Sequence, residues 1–158
     1  MEIKVPRMDI SAERGDNWIW YCVLFPGSDW GAGNARVEFN PLRHYRDPRN
    51  RIYGRLIDAE GLEQDHVIAQ ITYFYPHYNH ETSTSHMRLG VGTNILERLR
   101  KDSVKRGART IYARGPSESM RSFLVNKHGF SQCDPALTLD KESEFYKILG
   151  REQQGSGL

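Results

Sequence analysis

The chain has 158 residues, of which 38% are hydrophobic, 27% charged and 11% aromatic, and its formal net charge is +2. That size and balance describe one folded domain with a buried core and exclude a disordered chain. Two cysteines build neither a disulfide framework nor a Cys-rich zinc site, the charge is too small to argue for nucleic acid by itself, and the longest apolar run, Trp18 to Phe25, falls short of the ~20 residues of a membrane helix.

Met1-Glu2-Ile3-Lys4 leads into no hydrophobic stretch, so a cytoplasmic protein with no membrane partner is expected. Residues 1–150 read as a single domain, and the polar segment 151–158 as a flexible tail. All three Trp, six of the eight Tyr and three of the six Phe lie before residue 79.

In chain order, Trp18 to Phe25 reads as a strand buried on both faces, stopped by Pro26-Gly27. Ala35 to Phe39 is a weaker strand. Residues 41–50 hold two prolines and several arginines and read as a loop, and Ile52 to Ile57 as a strand. Val67 to Tyr75 is the best strand pattern, with Val67, Ala69, Ile71, Tyr73 and Tyr75 on one face. Asn79 to His86 is a polar loop. A helix follows from Thr93 or Asn94 with an apolar stripe of Ile95, Leu96, Leu99 and Val104, a Glu97/Lys101 pair, and Gly107 as its C-cap. Arg109 to Ala113 is a short strand, Ser117 to His128 a second helix, and two short strands lie near 130–133 and 144–149. This order of strands and helices predicts an α/β or α+β domain with a mixed sheet.

The segment Met87-Arg88-Leu89-Gly90-Val91-Gly92-Thr93 joins a strand region to a helix N-terminus. Glycines there permit a tight turn, and the first amides and dipole of the helix attract phosphate. The loop alone supports either a phosphate cradle or a plain strand-to-helix turn. It is not a dinucleotide fingerprint, because position 95 is Ile, and it lacks the Gly-Lys-Ser/Thr of a P-loop.

From Gly90 to Phe130 the chain resembles the GNAT superfamily of acyl-CoA-dependent N-acetyltransferases. The loop pattern Arg/Gln-x-x-Gly-x-Gly/Ala is matched over 87–92 at Gly90 and Gly92, the turn after the helix by Lys105-Arg106-Gly107-Ala108, and the strand by 110–113. The second helix, Ser117 to Leu124, runs into Lys127-His128-Gly129-Phe130. The resemblance implies a mixed, mostly antiparallel central sheet flanked by helices, with a splayed strand pair that holds CoA. It implies acetyl-CoA as co-substrate, an amine acceptor (small molecule, peptide or protein), and no metal. The amides of Arg88, Leu89, Gly90, Val91, Gly92 and Thr93 would hold the pyrophosphate. Phe74 and Tyr75 would pair with pantetheine, and Ser117 and Phe123 would lie along the cofactor. Amine attack on the thioester would be direct, within a ternary complex.

Three positions depart from the pattern. Met87 stands where the family has Arg or Gln, and Ser117 where it often has Asn. Leu124 replaces the Tyr that commonly protonates the leaving thiolate, so another residue or water supplies that proton, or catalysis is lost. Tyr75 is the candidate surrogate acid; His80, in an apparent insertion over residues 79–86, and His77 just before it are candidate bases. Trp30, in a Gly-rich loop, is the candidate substrate contact. Other readings stay open: a GNAT-like module that binds acyl-CoA or protein without catalysis, and a binder of nucleic acid or acidic protein through Arg43, Arg46, Arg49, Arg51 and Arg55. A homodimer also stays open. Cys22 reads as core and Cys133 as part-exposed.

Overall fold

The computed structural model describes residues 9–24, 31–47, 49–76, 78–79, 84–85, 90–134 and 143–149. Its strands are β1 (Asp9–Arg14), β2 (Trp18–Leu24), β3 (Gly31–Pro41), β4 (Val67–Pro76), β5 (Tyr78–Asn79), β6 (Thr84–Ser85), β7 (Ala108–Arg114), β8 (Ser131–Gln132) and β9 (Glu144–Ile148). Its helices are α1 (Arg51–Gly54), α2 (Val91–Lys105) and α3 (Glu118–Ser122). Both α1 and α3 run on as π-type turns, Arg55–Ala59 and Phe123–Lys127. Seven strands form one sheet in the order β1-β2-β3-β4-β7-β9-β8, mostly antiparallel, with β4 and β7 parallel. This is the expected mixed α/β architecture.

Two compact units divide the chain. Residues 1–38 and 72–102 contribute to the first, and residues 39–71 and 103–158 to the second.

In the first unit, β2 pairs antiparallel with β1 and β3. Its burial alternates: Ile19, Tyr21 and Val23 are fully buried, while Trp18, Trp20 and Cys22 are half-exposed on the other side. The strand is therefore not buried on both faces, and Cys22 is not a core residue. β1 escaped sequence reading because it is a mostly exposed edge strand, with only Ile10 and Ala12 as apolar residues. Helix α2 lies on the inner face. Its Asp102, 4% exposed, accepts from the Tyr21 hydroxyl at 2.8 Å and from Arg98 Nε at 3.2 Å, with Arg14 at 3.7 Å. Burial, then this bond to Asp102, pushes the Tyr21 hydroxyl far above its ordinary range. Glu97 pairs with Arg100 at 3.1 Å rather than with Lys101. Asn79, Thr84 and Ser85, expected within a loop, form with Tyr78 the two-residue ladder β5–β6.

In the second unit the expected strand at 52–57 is helical. Its apolar residues Ile52, Tyr53, Leu56 and Ile57 recur at helical spacing and pack on a core of Leu42, Tyr45, Ile68, Tyr112, Cys133 and Tyr146. Part of the expected 41–50 loop is a short 3-10 turn, Leu42–Tyr45. Glu144, 2% exposed, takes the Arg51 amide at the start of α1 on both oxygens, at 2.9 and 3.2 Å, and also accepts from the Tyr112 hydroxyl. Cys133 is buried, not part-exposed, because it sits in this core, and desolvation raises its thiol pKa.

Among the described residues here, His66 is the one group with a lowered pKa that bears on ordinary pH. Burial lowers it first and the Arg109 charge second, against smaller opposing effects from Asp65 and Glu63. Its Nε2 is buried without a hydrogen-bond partner among the described residues. The unfolded chain then binds the proton more readily than the native one. Stability is complete above the unfolded His value, about 6.5, and is lost as pH falls from there toward the lowered native value. Melting temperature will drop across that window, and His66→Gln will flatten this part of the profile; an unchanged profile in the variant refutes the assignment.

Candidate functional site

Gly90 precedes α2 with φ 80°, a left-handed backbone that glycine takes without strain. The Asn94 N–H donates to the Gly90 carbonyl at 3.0 Å, and α2 begins at Val91. The helix thus starts two residues before Thr93, and Thr93 and Asn94 belong to its first turn rather than capping it. Val91 and Gly92 are buried. The amides of a first helical turn lack an acceptor within the helix and carry the positive end of the dipole, which suits an anion.

A glycine inside a strand costs roughly 0.5–1 kcal/mol relative to Ala, so Gly33 in β3 calls for a reason. A Cβ placed there would lie 3.1 Å from the Tyr75 carbonyl oxygen and 3.2 Å from both Val91 Cγ1 and Ile95 Cδ1. The missing side chain lets β3, the end of β4 and the first turn of α2 meet at one point. Gly33 was missed in the sequence because it lies in a run of glycines that reads as loop; only the close approach explains it.

β4 pairs in parallel with β7 from Val67↔Ala108 to Ile71↔Ala113. The strand continues beyond Ile71 to Pro76. On that end Phe74 is half-buried, while Tyr73 and Tyr75 are 44% and 48% exposed. The Tyr73 and Tyr75 side chains are thus exposed, whereas Ala69 and Ile71, at the same period along β4, are buried.

In the second unit, Leu124 is fully buried, so the position where the family carries its Tyr offers neither an acid nor access. Ser117 caps α3, its hydroxyl accepting from the Met120 amide at 3.2 Å. Phe123 is half-buried and packs edge-on against His128, ring centroids 4.5 Å apart. The five arginines of 43–55 do not make a uniform basic surface. Arg49 pairs with Asp47 at 2.7 Å, Arg51 with Asp134 at 2.9 Å, and Arg55 donates to the Tyr146 hydroxyl at 2.9 Å. The Arg49 pairing holds the Asp47 carboxyl at about 2. A cavity of about 610 Å³ between these side chains is lined by both signs of charge, including Arg46, Arg55 and Asp58.

His77, His80, Arg88, Leu89 and Trp30 lie outside the described residues, as does the tail 151–158. Among the described residues no helix is long and apolar enough to cross a membrane, and no three His, Cys, Asp or Glu side chains come together.

No protein-family model matches the sequence, and no curated protein matches it. Solved structures do match. One is FeeM, an N-acyl amino acid synthase from uncultured soil microbes: TM-score 0.56, 11% identity, covering 89% of this chain and 74% of that one. A second is an acetyltransferase of the GNAT family from Staphylococcus aureus MU50: TM-score 0.51, 10% identity, 84% and 68% covered. A third is a mutant of the toxin AtaT bound to the C-terminus of the antitoxin AtaR and acetyl-CoA: TM-score 0.52, 8% identity, 89% and 73% covered. The fold of this chain is that of GNAT acyltransferases.

Gly33→Val will force apart the three elements that meet there. Overpacking of this kind costs about 1–3 kcal/mol, measurable by urea unfolding. Unchanged stability would show that the approach at Gly33 is not tight.

Proposed function

We propose that the chain transfers an acyl group from acetyl-CoA to a primary amine. The observation that carries this reading is the junction at Gly33, which sets the anion-attracting end of α2 beside the end of β4 in a GNAT fold. The residues present fit a diphosphate: Gly90 and Gly92 keep side chains away, and the first-turn amides supply donors. In this reading Gly90, Val91, Gly92 and Thr93, together with Arg88 and Leu89, hold the pyrophosphate. The main chain at Phe74 and Tyr75 binds the pantetheine arm, and Ser117 and Phe123 complete the cofactor contacts.

Acetyl-CoA supplies an activated thioester. The amine nitrogen forms a bond to its carbonyl carbon, and the carbon–sulfur bond breaks. The amine loses a proton to a base, with His77 and His80 as the proposed candidates, and the thiolate leaves as CoA after gaining one. Holding amine and thioester together provides much of the rate, and a backbone N–H stabilises the developing oxyanion. Tyr75 is the proposed acid, since it is exposed at the end of β4 whereas Leu124 is sealed in the core.

The buried Leu124 also favours a second reading, in which acyl-CoA is bound without turnover. Calorimetry with acetyl-CoA will give a Kd between about 1 µM and 1 mM, the usual substrate range; absence of binding at millimolar ligand would end both readings. CoA release with a panel of amines selects the enzyme over the binding module. Tyr75→Phe will lower kcat by about 100-fold, the low end for a general acid, with the acetyl-CoA Kd unchanged. An unaltered kcat would move the acid role to water.

A further inference from the structure

The outward face of the first unit's strands is not finished like an ordinary solvent-facing sheet. β2 presents Trp18, Trp20, Cys22 and Leu24 there, and β4 presents Tyr73 and Tyr75. The Trp20 and Tyr73 rings stack at 5.5 Å with 25° between their planes, and Tyr73 lies 6.4 Å from Tyr75. Among the described residues three rings thus form a row from Trp20 through Tyr73 to Tyr75. The Trp20 indole N–H donates to Cys22 Sγ at 3.2 Å, which fixes the ring's orientation. Half-exposed and exposed aromatic rings gathered in one place on a folded chain are a feature of binding surfaces.

The charges around the row discriminate between occupants. Arg36 lies over the Trp18 ring at 5.7 Å and is ion-paired with Glu38, so its charge is neutralised. Glu13 stands directly opposite Trp20 in the β1–β2 ladder, exposed and without an ion-pair partner among the described residues. A carboxylate beside electron-rich ring faces attracts a cation with a flat apolar body. The row also runs to Tyr75, whose carbonyl abuts Gly33 at the start of α2.

We infer that this face seats the acceptor, and that the acceptor is a primary amine bearing an aromatic ring; the inference rests on the acyl-transfer reading above. The ring lies against Trp20 and Tyr73, and the row of rings directs the molecule toward Tyr75. Trp20 and Tyr73 are specificity-determining residues.

The test is an NMR titration of the Trp20 indole N–H, identified by its loss in Trp20→Phe, with 2-phenylethylamine and with n-hexylamine. Acetyl-CoA binding is measured separately on the same samples. The expected result is a shift of the Trp20 signal with 2-phenylethylamine and clearly weaker binding of n-hexylamine. Tyr73→Leu will weaken 2-phenylethylamine about three- to ten-fold, the worth of one aromatic pair, with the acetyl-CoA Kd unchanged. Equal affinity for the two amines, or no Trp20 shift at millimolar amine, overturns the inference and leaves acyl transfer standing if acetyl-CoA binds. Amine binding without acetyl-CoA binding overturns acyl transfer and the acceptor role with it. A Trp20 shift that tracks protein concentration without amine overturns it in favour of a second copy on this face.

Discussion

Helix α2 is held at both ends, and the candidate site depends on that seat. At its start Gly33 lets Val91 and Ile95 close against β3 and the end of β4. Near its far end Asp102 is buried against Tyr21 of β2. A buried carboxylate costs several kcal/mol in lost hydration. Here a hydroxyl, Arg98 and the nearby Arg14 offset that cost, and their directions fix which way the helix lies. One contact is a matter of shape and the other of charge. Together they seat the first turn of α2 against β3 and the end of β4.

The second unit solves a similar problem with a similar device. Glu144 is buried on β9, yet it satisfies the Arg51 amide and the Tyr112 hydroxyl. Arg55, Tyr146 and Glu60 form a further chain, the tyrosine hydroxyl accepting from the arginine and donating to the glutamate. These polar ties hold the short α1, which at four residues plus a π-type turn would not persist by helix propensity. The arginines of this segment, which read as a basic loop, are largely spent in holding it.

The early concentration of aromatic residues now divides by face. Tyr21 is core, and its neighbours Trp18 and Trp20 look outward. Alternation along β2 decides this, since side chains two residues apart share a face. A continuous apolar run hides that alternation, because aromatic residues satisfy either side of a sheet.

What the sequence determined by itself was the order of the main elements and the kind of loop at Gly90. Strand β4, helix α2 and strand β7 each carry their periodicity locally, and a positive-φ glycine before a helix is a local requirement too. Local signal failed at β1, whose only apolar residues are Ile10 and Ala12, and at 52–57, a short apolar segment in which helix and strand patterns are hard to tell apart. Tertiary structure alone decided that Gly33 is a point of contact, that Leu124 is sealed away, and that Trp20 meets Tyr73. Each of these depends on residues more than 40 positions apart, or on which side of an element faces the core. No local pattern encodes such proximity, because it arises only when the strands take their register and the helix takes its seat.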